Sequence, residues 1–142
     1  MWGPLVLIEG TLDQDSHVSL MSNHLVPYLK QVDEQCSGVI FQQDNAPCHV
    51  AEYTNWWRQT HNINRMSWPV QSPDLNPIEH LWDHLDQQIR KRRPLPTSPT
   101  ALVAALQDAW GRIPLDVLRN LIAGMPTRVA AVIKAKGSHT SY

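Results

Sequence analysis

Apolar positions along this chain follow two rhythms, short runs and helical spacing, and the two take turns. A run at residues 5–8 (Leu5, Val6, Leu7, Ile8), fenced by Gly3-Pro4 and Gly10, reads as a strand. Residues 13–26 carry Val18, Met21 and Leu25 at helical spacing, with Leu20 and Val26 beside them, so a helix is expected there and Pro27 should end it. Residues 31–37 are polar and read as a loop. Val39, Ile40 and Phe41 open a second β-type run over residues 39–43, which breaks at Asn45-Ala46-Pro47. A helix over about residues 51–60 puts Tyr53, Trp56 and Trp57 on one side, where core packing is favoured over a base-stacking platform. Residues 63–68 read as a third short strand, and Pro69, Pro73 and Pro77 lead from it into a longer helix. Asn76 is that helix's N-cap, Pro77 its first residue, and Ile78, Leu81, Trp82, Leu85 and Ile89 its buried stripe.

Beyond a turn-rich linker at residues 92–98, three more helices are expected. Ser98-Pro99 opens one with Leu102, Ala105, Leu106 and Ala109 on a common side; Ile113-Pro114 opens the next with Leu115, Leu118, Leu121 and Ile122. Pro126 starts the last, which runs to about Gly137 and a polar tail. Short strands alternating with helices define an α/β chain. No internal repeat is present.

Two carboxylates stand at the punctuation of this pattern, with thirty-four residues between them. Asp44 closes the 39–43 run, which puts its side chain at the carboxyl end of a strand, where open α/β sheets place their chemistry. Glu79 lies three residues after the Asn76 cap and about 100° around the helix from Ile78, so it should border the core face. Each acid also has a plain structural reading. Asn76-x-x-Glu79 is a capping box, and Asp44 before Asn-Ala-Pro is an Asx-turn residue.

Composition narrows the field. The 142 residues suffice for one domain with a single core, and no apolar run approaches the ~18 residues of a membrane span. A soluble, intracellular chain without membrane contact is expected. Cys36 and Cys48 are too few and too far apart for a disulfide framework or a CxxC site, so reduced thiols are expected. The net charge of −1 hides an asymmetry: residues 1–89 hold three basic and eleven acidic side chains, residues 90–142 nine basic and two acidic. An acidic part suits a cation, a basic part a polyanion. Arg90, Lys91, Arg92 and Arg93 are the densest basic run, although a helix C-terminus also attracts such charge.

The words FQQDNAPCH at residues 41–49, WPVQSPDLNPIEHLW at 68–82 and MPTRVAAVIKAKGSHTSY at 125–142 closely resemble the DDE transposases of the Tc/mariner superfamily. With WGPLVLIEG near the start, the resemblance covers essentially the whole chain, and the family's last two acids share the thirty-four-residue spacing. It implies a partial ribonuclease-H-like (integrase/transposase) α/β fold that lacks the first two strands and carries additional C-terminal helices. Residues 1–91 would be a partial DDE catalytic core and residues 92–142 a basic helical extension of the same domain. It also implies that Asp44 and Glu79 are the second and third catalytic acids and hold magnesium or manganese for DNA cleavage and strand transfer. The family's first Asp has no counterpart here, so the chain alone is expected to be inactive and to bind the cation weakly or not at all.

DNA is the implied partner, with Arg90, Lys91, Arg92, Arg93, Arg128, Lys134 and Lys136 as the phosphate-contacting set, and the implied location is nuclear, or cytoplasmic without DNA binding. Association with a second copy or a full-length transposase is a further implied contact, since missing strands would leave an apolar edge open to pairing. The main alternative is a non-catalytic DNA-binding or interaction module using the basic half. A second is a zinc site on His80 and His84, four apart on one helix beside Glu79 and Asp83, with His49 near Asp44; the HExxH order is absent and no third ligand is fixed.

Overall fold

The structure, a computed structural model, describes residues 3–34, 38–70, 72–138 and 140. It falls into two compact units, residues 1–71 and residues 72–142.

The first unit is built on a helix that does not stop where its sequence suggests. α1 (Gln14–Leu20) starts at Asp13, whose carboxylate accepts the Ser16 amide at 2.8 Å. Pro27 lacks an N–H, and its ring would collide with the carbonyl four residues back in a regular helix. The chain instead widens into one π turn, Met21–Leu25, in which the Val26 amide bonds the Met21 carbonyl five residues back. Pro27 then lies in the first turn of α2 (Val26–Asp33), where a missing N–H costs nothing. The polar stretch expected as a loop is therefore helical up to Asp33, while its residues 35–37, Cys36 among them, lie outside the described residues.

Val18, Met21 and Trp57 form the buried centre of this unit, with Leu25, Val26, Phe41 and Ile63 packed against it. Trp57 comes from α4 (Glu52–Thr60), which follows the single turn α3 (Pro47–Val50). The expected aromatic side of α4 is split. Trp57 is core, whereas Tyr53 and Trp56 are exposed and stack on each other with ring centroids 5.8 Å apart.

Sheet pairing among the described residues is limited to one parallel bridge, Phe41 with Arg65. The Phe41 amide bonds the Asn64 carbonyl at 2.7 Å and the Met66 amide bonds the Phe41 carbonyl at 2.8 Å. The 39–43 and 63–68 segments meet in the parallel sense, and the ladder is not longer than this contact. Residues 5–8 are in no strand, and Leu7 and Ile8 are exposed. An extended segment without a neighbouring strand has nothing to satisfy its backbone ladder.

The second unit opens with a 3₁₀ turn, Pro73–Leu75, and α5 (Pro77–Arg90). Leu81 and Leu85 are buried, Ile78 and Ile89 half-buried, and Trp82 lies at the surface against Trp110 with centroids 5.8 Å apart. α6 (Pro99–Gly111) is capped by Ser98, whose hydroxyl accepts the Ala101 amide, and turns the small residues Ala105 and Ala109 inward. α7 (Leu115–Ala123) and α8 (Met125–Lys134) complete the unit, and the Thr140 hydroxyl donates to Asp74 at 2.7 Å. Thr140 is buried, so this part of the expected polar tail is packed rather than free. α5 packs with α6 and α7 inside this unit.

Candidate functional site

Asp44 is fixed by its chain neighbours and by a clamp from the 63–68 segment. The Asn45 carboxamide accepts from the Arg65 guanidinium at 2.6 Å and donates to the Trp68 carbonyl at 2.9 Å. Arg65 also donates to the Asp44 carbonyl at 3.0 Å. The loop that ends the first parallel segment is thus tied to the second. Within it, Asp44 Oδ1 accepts the Ala46 amide at 3.0 Å and pairs with His49 Nδ1 at 2.6 Å. The first contact is the Asx turn anticipated from the sequence. Oδ2 accepts nothing among the described residues, and the side chain is half exposed. The Ala46 amide, aided by His49 and Arg65 and opposed by partial burial, holds this carboxyl below the usual range, so it is ionised at neutral pH.

Behind Asp44 stands a small polar cluster. His17 of α1 is buried, and its ring lies against that of His49, centroids 4.4 Å apart and planes tilted by 39°. Burial, with the charge of His49 as a second cause, lowers its pKa to about 4 against a weaker opposing bond from Gln43. Gln43 is buried and donates to the His49 carbonyl at 3.4 Å. Nε2 of His17 and Oε1 of Gln43 are both buried without a partner meeting hydrogen-bond geometry. The fully buried Thr54 donates to the Cys48 carbonyl at 2.7 Å and pins α3 to α4.

Glu79 belongs to the second unit and is in a different state. Its neighbour Asn76 caps α5 weakly, accepting the Ile78 amide at 3.4 Å, while the Asn76 amide bonds the Pro73 carbonyl at 2.9 Å. The amide that a capping box would give to Glu79 is therefore taken by backbone. The Glu79 carboxylate is exposed rather than tucked against the core face, and it makes no hydrogen bond or ion pair among the described residues.

The basic set divides by environment. Arg90 pairs with Asp86 at 2.6 Å, Arg92 pairs with Asp108, which Arg112 also contacts at 2.9 Å, and Arg93 donates to the carbonyls of Arg90 and Arg92. Lys91, Lys134 and Lys136 are exposed and unpaired among the described residues. Arg128, expected at the surface, is buried, and its guanidinium donates to the Leu121 carbonyl of α7. Capping a helix end from inside occupies the group that would meet a phosphate. No three His, Cys, Asp or Glu side chains among the described residues gather as a metal cluster, so the zinc reading of His80, His84 and His49 finds no third ligand. Likewise, no helix among them is long and apolar enough to cross a membrane.

Asp44 and Glu79 are marked by the sequence pattern, whereas His17, Gln43 and Arg65 are not singled out by it. Only Arg65 left a readable sign, as a lone cation inside a β-type run that begins with Ile63.

A profile of the DDE superfamily endonucleases matches residues 3–100, and the chain belongs to that superfamily, in its Tc/mariner branch. It is 37% identical to the Tcb1 transposase of Caenorhabditis briggsae over 140 residues and 37% identical to the Tc1 transposase of Caenorhabditis elegans, covering 99% of this chain and 50% of each relative. The Tc3 transposase of C. elegans is 30% identical over 135 residues, covering 95% of this chain and 40% of that protein. The chain therefore spans about half the length of the curated relatives it matches. Among solved structures it is similar to the Mos1 transposase catalytic domain with raltegravir and Mg, at a TM-score of 0.80 and 21% identity, covering 93% of this chain and 67% of that one. It is also similar to the Mos1 mariner paired end complex with Mn, at a TM-score of 0.79 and 20% identity, covering 92% of this chain and 38% of that one. The fold is thus that of a ribonuclease-H-like transposase catalytic domain, although the described residues are mainly helical.

Proposed function

We propose that this chain is part of a transposase catalytic domain acting on DNA phosphodiesters, in which Asp44 and Glu79 are each a ligand for magnesium or manganese. What supports the reading is the state of the two acids: Asp44 has one oxygen bonded twice and the other open, and Glu79 has both oxygens unengaged among the described residues. Hard divalent cations take such carboxylate oxygens and keep several waters, so the donor type fits. When bound, cations of this kind activate the attacking oxygen and neutralise charge on the leaving one. The residues' own part is to hold the donors: Asn45 and Arg65 fix the loop of Asp44, and α5 carries Glu79 in its first turn.

In this reading the family's first acid has no counterpart among these 142 residues, the partial fold lacks the first two strands, and the chain alone is inactive as a nuclease. A DNA substrate goes with a nuclear location and with assembly beside a second copy or a longer transposase. Magnesium or manganese is expected to raise the melting temperature of the wild-type chain, as any ligand of the folded state does. Asp44→Ala and Glu79→Ala should each shrink that rise and together remove it; an undiminished rise in the double variant sinks the proposal.

A second reading is favoured by three surface lysines of the basic half that are unpaired among the described residues: a non-catalytic DNA-binding module, for which Lys91, Lys134 and Lys136 need only meet phosphate.

A further inference from the structure

We propose that His49 is the positioning residue of Asp44, and that His17 and Gln43 hold His49 in the one orientation that serves it. This rests on the reading of Asp44 as a cation ligand. Three separate contacts converge on His49. Its Nδ1 meets Asp44 Oδ1 at 2.6 Å, its ring lies against the ring of His17 at 4.4 Å, and its backbone carbonyl accepts from Gln43 at 3.4 Å.

The direction of the hydrogen bond follows from chemistry. An ionised carboxylate only accepts, so Nδ1 of His49 carries the proton and donates it. With the Ala46 amide on the same oxygen, the carboxylate can no longer rotate freely, and Oδ2 is the oxygen left to a cation. A ligating carboxylate held by an outer partner in this way loses less freedom on binding, and removing such a partner typically costs 10- to 100-fold in metal affinity.

His17 and Gln43 sit where they are at a cost. Each is buried and each carries a polar atom without a well-formed partner, a state that cores usually avoid. Apolar residues would pack there more easily, so their presence is explained by what they do to His49: the ring of His17 blocks rotation of the neighbouring imidazole, and Gln43 anchors the carbonyl of α3. The four-residue helix α3 begins at Pro47 and is held at Cys48 by Thr54, which leaves His49 little backbone freedom.

The experiment uses the full 142-residue chain and Mn2+ alone, with free Mn2+ read from its solution EPR signal. His49→Ala is expected to weaken Mn2+ binding by about 10-fold or more. His49→Asn, whose amide nitrogen stands where Nδ1 stood, should recover most of that loss. A cation-free readout stands beside it: imidazole 15N shifts should report the Nδ1–H tautomer for His49.

Unchanged affinity in His49→Ala, no recovery in His49→Asn, or the Nε2–H tautomer would each overturn the positioning role. If Asp44→Ala loses Mn2+ while His49→Ala does not, only this inference fails. If Asp44→Ala binds as well as wild type, or the wild-type chain binds no Mn2+, the functional reading fails and the positioning role falls with it. Should the alanine variant not fold, His49→Asn and the tautomer decide.

Discussion

Burying a histidine strips water from its protonated form, and His17 shows the consequence: its pKa falls from the ordinary 6.5 to about 4. Between those values the unfolded chain binds a proton that the folded chain refuses, so stability drops as pH falls through 6.5 and the loss is complete near pH 4. Asp44 acts in a different window. Its lowered carboxyl stabilises the fold above its ordinary value of 3.8, and that contribution disappears only at lower pH. His17→Phe, which keeps a ring and drops the unpartnered nitrogen, should therefore remove about 2 kcal/mol of stability loss between about pH 7 and about pH 5. Urea midpoints of wild type and variant at the two pH values measure it, and the difference separates His17 from the other six histidines. An equal acid loss in both proteins would mean that His17 protonates freely in the fold. In the sequence His17 is one polar residue beside the apolar stripe of Val18 and Met21, and nothing in that pattern distinguishes a buried imidazole from a solvated one. Asp44 was legible because the chain breaks directly after it, and Glu79 because a cap and a proline precede it. What was not legible is that backbone would take the Asn76 amide and leave Glu79 unengaged.

Elements inherit these local outcomes. α3 is too short to be stable by its own hydrogen bonds, and a buried contact from α4 holds it: Thr54 to the Cys48 carbonyl. Thr54→Val keeps the shape and leaves that carbonyl unpaired, which should cost about 1–3 kcal/mol in chemical denaturation. An effect within a few tenths of a kcal/mol would show that water takes over the bond. Because the same turn carries His49, the variant should also loosen Asp44. Helices were the most readable elements here, since Leu81 and Leu85, or Val18 and Met21, repeat at the spacing that burial demands. Their ends were less readable. Pro27 normally ends a helix, but one wider turn absorbs its missing donor, and no residue of Met21–Leu25 signals a π turn in advance. The β-type runs were readable as extended segments and not as a sheet. Pairing depends on what lies beside a strand, and residues 39–43 meet the 63–68 segment at one bridge. The aromatics of α4 divide for a similar reason: their periodicity gives a side of the helix, and only the packing of Trp57 against Met21 and Val18 determines which ring is covered.

Across the whole chain, charge is sorted more clearly than hydrophobicity. Residues 1–71 hold three basic and seven acidic side chains, and residues 72–142 hold nine basic and six acidic. Within the second unit, structure then sorts the cations again. Arg90, Arg92, Arg112 and Arg119 are neutralised by Asp86, Asp108 and Asp116, and Arg128 is buried. The count of basic residues therefore overstates what a polyanion would meet, and Lys91, Lys134 and Lys136 carry most of the unpaired charge among the described members of the expected set. Each phosphate that a lysine neutralises releases counterions, so affinity for duplex DNA should fall steeply with salt and depend little on sequence. Replacing the three lysines with glutamine should lower affinity at low salt and flatten the slope of log affinity against log salt by about 3. Replacing Arg128 should instead reduce stability, because its loss removes a donor from the Leu121 carbonyl and empties a buried position, while the salt slope of the folded fraction stays where it was. Fluorescence anisotropy with a short duplex across a salt series reads both variants. Absence of binding by the wild-type chain at low salt would rule out the DNA-binding module. A slope unchanged in the lysine variant would instead move the contact to the paired arginines, whose carboxylate partners would then have to yield to phosphate.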